Sequence, residues 1–121
     1  MAQHNTLGKK GEDMACRFLQ DKGYEIIERN WTWRKLELDI IARKDNYLVI
    51  AEIRTRSTDM YGEPENTITD KKIRRIINAA DAYIKKNKID LFVRFDIISI
   101  TGQEGCFKIK HIEDAFISPV W

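Results

Sequence analysis

The sequence predicts a single α/β domain with the element order α-β-β-β-α-β-β. Three observations carry that expectation. Two stretches repeat apolar residues at the helical period, five shorter ones alternate or run apolar at strand length, and one long turn-rich segment, 55–66, stands between strand three and the second helix. At 121 residues the chain has the size of one domain with one core, so the domain is expected to span 1–121.

The first helix is expected over 6–22. Leu7, Met14, Ala15, Phe18 and Leu19 form one stripe, Asn5 or Thr6 can cap the start, and Gly23 can end it. Residues 24–31 read as a strand, with Tyr24 and Ile26 alternating against charged neighbours. From Leu36 to Arg43, Leu36, Leu38, Ile40 and Ala42 would share one face, and Glu37, Asp39, Ile41 and Arg43 the other. Tyr47 to Arg54 makes a third strand, with Leu48, Ile50, Glu52 and Arg54 on one side. Gly62 and Pro64 mark the long loop. The second helix covers about 69–87 on an apolar stripe of Ile73, Ile76, Ile77, Ala80 and Ile84. Two strands close the chain, Leu91 to Ile100 and Phe107 to Ile112, around a turn with Gly102 and Gly105.

Composition narrows the function classes. Hydrophobic residues make up 43% and charged residues 33%, with six Gly and two Pro, which excludes disordered and collagen-like chains. The longest apolar run, Tyr47 to Ala51, is too short to cross a bilayer, and no apolar signal segment follows Met1. Cys16 and Cys106 are too far apart for a C-x-x-C motif, so a reduced cytoplasm is the expected setting. Net charge is only +2, but residues 70–88 carry seven basic against two acidic groups. That segment can track phosphates or can be a solvated helix face.

No phosphate-binding glycine loop, His-centred metal cluster or triad is visible. His111 is expected at the surface of a late strand, and Cys16 off the centre of its helix stripe. The carboxylates carry more. Asp45-Asn46 suits a two-residue hairpin turn. Closing it pairs residue 44 with 47, which sets Asp39 opposite Glu52 and Glu37 opposite Arg54, Cβ atoms roughly 5 Å apart. Opposed like charges destabilise a hairpin unless compensated. A hard cation such as Mg²⁺ would compensate, and so would an ion-pair network with Arg43, Arg54 or Arg56. Spacing leaves both open. Glu12 lies about 20° around the first helix from Leu19, at the margin of its stripe. If that helix packs on the face of Ile41, Leu48 and Ile50, Glu12 points toward the two acids. Lys72 sits at the edge of the second helix's stripe in the same way.

An ordered set of short motifs now stands out. Gly8, Gly11-Glu12 and Ala15 open it, followed by Gly23-Tyr24, Arg29-Asn30-Trp31, Glu37-Leu38-Asp39 and Glu52-Ile53-Arg54-Thr55-Arg56. Gly62, Pro64, Lys72, Ala79-Ala80, Val93-Arg94-Phe95-Asp96 and Ala115-Phe116 complete it. Over nearly its whole length the chain resembles the YraN-like family of predicted bacterial endonucleases. These are relatives of archaeal Holliday junction resolvases in the PD-(D/E)xK nuclease superfamily.

The resemblance implies a restriction-endonuclease-like α-β-β-β-α-β core, a mixed central sheet flanked by helices. It also implies Mg²⁺ or Mn²⁺ held by Asp39 and Glu52, with Glu12 as an additional acid. The implied activity is hydrolysis of phosphodiester bonds in DNA, branched or damaged DNA among the substrates; the resemblance also hints at a homodimer, and the short apolar runs imply no membrane attachment. Arg54 would contact the scissile phosphate, while Arg56, Lys71, Lys72 and Arg75 would steer the backbone, giving affinity that falls with salt. Two positions depart from the pattern: Leu36 stands for the usual glycine of G-E-x-D, and Arg54 for the lysine of E-x-K. Arginine keeps charge and bidentate phosphate contact but cannot accept a proton at working pH. A nuclease-fold module that binds nucleic acid or protein without cutting is therefore the alternative expectation. Trp31, Trp33 and Val120-Trp121 are apolar groups for a dimer interface or for the core.

Overall fold

Seven elements follow one another: α1 (Gln3–Asp21), β1 (Glu25–Trp33), β2 (Leu36–Lys44), β3 (Tyr47–Arg56), α2 (Asp70–Asn87), β4 (Phe92–Gln103) and β5 (Cys106–Ile112). They come from a computed structural model that describes residues 3–56, 68–103 and 106–116. Gly62, Pro64, Val120 and Trp121 lie outside the described residues. The element order is the expected one. The strands form a five-stranded mixed sheet in sequence order, parallel between β3 and β4 and antiparallel elsewhere. Tight connections make neighbours antiparallel, whereas β3 and β4 run parallel because α2 crosses over between them.

Local chemistry sets the element ends. Thr69 caps α2, its hydroxyl accepting from the Lys72 N–H at 3.2 Å, and Lys88 closes the helix in the left-handed region at φ 53°. Asp70 in the first turn and Lys85 and Lys86 in the last complement the helix dipole. Helix α1 starts at Gln3, so Asn5 and Thr6 lie inside it and do not cap it. Gly23, at φ 93°, turns the chain out of α1.

Each helix covers one face of the sheet. Helix α1 buries Ala15, Cys16 and Leu19 with Ile40, Ala42, Val49, Ala51, Ile98 and Ile100. Helix α2 buries Ile76, Ile77, Ala80 and Tyr83 with Leu38, Ile41, Leu48, Ile50 and Phe95. The face of Ile41, Leu48 and Ile50 thus belongs to α2 and not to α1, correcting the sequence-based expectation. Small residues let α1 pack closely on its face. Gly11 brings α1 so close to β3 that a Cβ there would run into the Thr55 methyl. Cys16 is buried in this layer rather than turned away from it. Trp31 packs edge-to-face on Tyr83 at 5.1 Å and Trp33 lies against the same cluster, so both rings serve the core.

Strict alternation fails once in β2. Leu36 and Leu38 join the α2 side, but Ile40 and Ala42 join the α1 side. Asn30 of β1, at φ 54°, lies between the pairs Arg29–Ile40 and Trp31–Leu38, alongside Asp39. A left-handed residue rotates the following side chains to the other face, and both strands change sides at this level.

Candidate functional site

The hairpin of β2 and β3 starts as expected. Asp45 takes the turn at φ 55°, and the ladder runs from Lys44–Tyr47 to Ile40–Ala51. There the two strands part. Beyond that point β2 stays with β1 as far as Leu36–Trp33, and β3 stays with β4 as far as Arg56–Thr101. Asp39 and Glu52 are the next residues of the register, one on each side of the fork. The expected Glu37–Arg54 pair does not form.

The fork decides the chemistry of both acids. Asp39 Oδ2 accepts the Ile53 N–H at 2.9 Å, meeting a strand donor at the level where the ladder has ended. Glu52 Oε2 lies 3.4 Å from Lys72 Nζ, which α2 brings down from its first turn. Burial, then the charge of Glu52, push the Asp39 carboxyl up to about 7, with Glu37 adding to the effect; the Ile53 N–H and Lys72 oppose it. Two carboxylates and one ammonium therefore act on one another across the fork.

A cleft of about 440 Å³ opens beside them, lined by Glu52, Arg54 and Arg56 from β3 and by Thr69 and Lys72 from α2. Lys71 and Arg75 are exposed on the same helix. Glu12 is elsewhere: its Oε1 accepts from Arg29 Nη2 at 3.4 Å and from Asn30 Nδ2 at 3.2 Å. Glu12 stands on α1, which covers the opposite face of the sheet from α2 and Lys72. Among the described residues no third Asp, Glu, His or Cys completes a metal cluster with Asp39 and Glu52. The donor set still suits Mg²⁺, which commonly takes one or two carboxylates and completes its shell with water and substrate phosphate.

Sequence reasoning overlooked Thr69, whose place before a charged first turn is a capping signal. It also overlooked a buried network centred on Asp96 of β4. Arg94 binds Asp96 through Nε at 2.9 Å and Nη2 at 2.8 Å, and Nη2 also donates to the Tyr24 hydroxyl. His111 Nε2 is 2.7 Å from Asp96 Oδ2, and Lys22 Nζ is 2.8 Å from His111 Nδ1. A lysine ammonium only donates, so Nδ1 accepts and Nε2–H donates to Asp96. His111 is 4% exposed and so is not the surface histidine expected. Arg94 and Asp96 stand two apart on a strand, which was a readable signal for an ion pair on one face.

Known proteins resemble the chain throughout. The family model described as "Uncharacterised protein family UPF0102" matches residues 11–100. A UPF0102 protein of Phocaeicola vulgatus is 52% identical over 121 residues, covering all of both chains. UPF0102 protein FP2501 of Flavobacterium psychrophilum is 50% identical over 116 residues, 96% of this chain and 98% of its own. One from Bacteroides thetaiotaomicron is 49% identical over the full length of both. No helix among the described residues is long and apolar enough to cross a membrane.

Proposed function

We propose that the chain, which belongs to the uncharacterised protein family UPF0102, the YraN-like family its motifs resemble, is a metal-dependent endonuclease. Its substrate is DNA, branched or damaged DNA included. One observation carries this reading: the fork between β2 and β3 brings Asp39, Glu52 and Lys72 together beside a cleft walled by Arg54 and Arg56.

Asp39 and Glu52 would hold Mg²⁺ or Mn²⁺ through hard carboxylate oxygens, which also offsets their repulsion. When bound, that ion polarises a phosphoryl oxygen and lowers the pKa of a bound water. Arg54 grips phosphate through paired N–H donors, and its guanidinium takes no proton from the attacking water. Lys72 supplies the lysine that position 54 lacks, reaching the carboxylates from α2 instead of from β3. Glu12 holds Asn30, the left-handed residue of β1 beside Asp39 in the register.

Calorimetric titration with Mg²⁺ or Mn²⁺ should show binding to wild type and its loss in Asp39→Asn; equal heats for both would refute the metal site. Plasmid and four-way-junction nicking should be weak in wild type and absent in Asp39→Asn. Arg54→Lys should raise the rate roughly tenfold, equivalent to about 1.4 kcal/mol of transition-state stabilisation. No cleavage by either protein across several substrates would instead favour a binding module, the reading that Arg54 itself supports.

A further inference from the structure

The turn between β1 and β2 is built from the wrong residues for its shape. Trp33 pairs with Leu36, so the turn has two central residues, Arg34 at φ 52° and Lys35 at φ 68°. Two consecutive positive φ values define the turn that Asn-Gly makes without strain. Here two long cations occupy it, both exposed. Strain of this kind persists where the side chains are needed.

The surroundings point the same way. The Arg34 guanidinium lies over the Trp33 ring at 4.7 Å, and Trp33 is itself seated on the α2-side cluster. The stacked ring restricts the guanidinium, so less freedom is lost when it binds. The register puts this turn at the same end of the sheet as Glu52 and Arg56. Lys35 is four residues along β2 from Asp39, roughly 13 Å at the strand rise. Arg56 and Lys72 line the cleft, and Lys71 and Arg75 are exposed on the same helix as Lys72. Glu37, exposed on β2, is the acid nearest the turn in sequence.

We infer that the β1–β2 turn is a second anchor for the DNA backbone, Arg34 and Lys35 each taking a phosphate of the strand that runs into the cleft. The inference rests on the DNA reading above. It makes the fork the middle of a two-point clamp and not one flank of a basic helix.

The test is fluorescence anisotropy of a labelled DNA duplex, in EDTA, across a salt series. The proteins are wild type, Arg34→Asn with Lys35→Gly, Arg34→Gln with Lys35→Gln, and a control, Lys85→Gln with Lys86→Gln. Both turn variants should bind at least about tenfold more weakly, with the slope of log K against log salt reduced by about 1.8 for two lost phosphate contacts. The Asn-Gly variant should melt at or above the wild-type temperature, because its turn is relaxed, and the control should keep wild-type affinity. Turn variants that match wild type in affinity and slope would overturn the anchor alone. Wild-type protein that binds no DNA would overturn the anchor and the DNA reading together.

Discussion

Asp96→Ala should cost the fold about 3–5 kcal/mol, enough to leave a small domain barely folded. Asp96 is fully buried, and Arg94, His111 and the Asp114 N–H all converge on its two oxygens. Burial alone would raise its pKa, but those hydrogen bonds hold the carboxyl below its ordinary value. Removing it leaves a guanidinium that is only 15% exposed with the Tyr24 hydroxyl and, at 3.9 Å, the exposed Glu113 carboxylate. The penalty is that of a buried charge left with a weak, exposed partner and not of one lost contact. Urea denaturation followed by circular dichroism should show a lower midpoint with an unchanged slope. Removing both charges, with Arg94→Met and Asp96→Leu, should cost less than the single change. A loss under about 1 kcal/mol for Asp96→Ala would mean that the network contributes little. The network joins the α1–β1 junction at Lys22 and Tyr24 to β4 and β5, and its centre, Asp96, pairs with Ala51 at the level where the fork begins.

The second large effect concerns pH and Asp39. Its folded pKa of about 7 lies above the ordinary carboxylate value of 3.8. Between those values the folded protein keeps a proton that the unfolded chain has released, so stability falls as pH rises through this window. The full difference is worth up to about 4 kcal/mol, at roughly 1.4 kcal/mol per pKa unit. Denaturation at pH 5 and pH 8 in EDTA should show a decline in wild type that Asp39→Asn lacks. Asparagine keeps an acceptor for the Ile53 N–H and carries no charge beside Glu52, so this variant should be the more stable at pH 8. Adding Mg²⁺ at pH 8 should restore wild type and leave the variant unchanged. A wild type and variant with parallel pH profiles would show that folding does not raise the Asp39 pKa.

These two effects describe opposite uses of buried charge. At Asp96 every oxygen is met by a donor, and the group stabilises the sheet. At Asp39 and Glu52 two like charges meet across a gap in the ladder, and the fold is weaker for it. Stability given up at a concave, cation-rimmed point is the expected mark of a working site.

Much of this was decided within a few residues along the chain. The 3.6 and 2.0 periods determine the seven elements, Thr69 and Gly23 set helix ends, and Asp45-Asn46 closes a two-residue turn. That turn determines the β2–β3 register as far as Ile40–Ala51, so sequence alone brings Asp39 and Glu52 to one level, but the ladder ends before they pair. Tertiary structure decided the rest. Which helix covers which face was decided in space, where Gly11 lies close against Thr55, 44 positions along the chain. Asn30 in a left-handed conformation switched the faces of two strands, and strand parity cannot anticipate a single such residue. The fork lies where β2 and β3 each keep their outer neighbours, a competition among four strands. Lys72 reaches Glu52, and His111 reaches Asp96, only because crossovers and turns fold distant segments together. Periodicity is a property of neighbours in sequence; burial, shared charge and an acid held half-protonated near pH 7 are properties of neighbours in space.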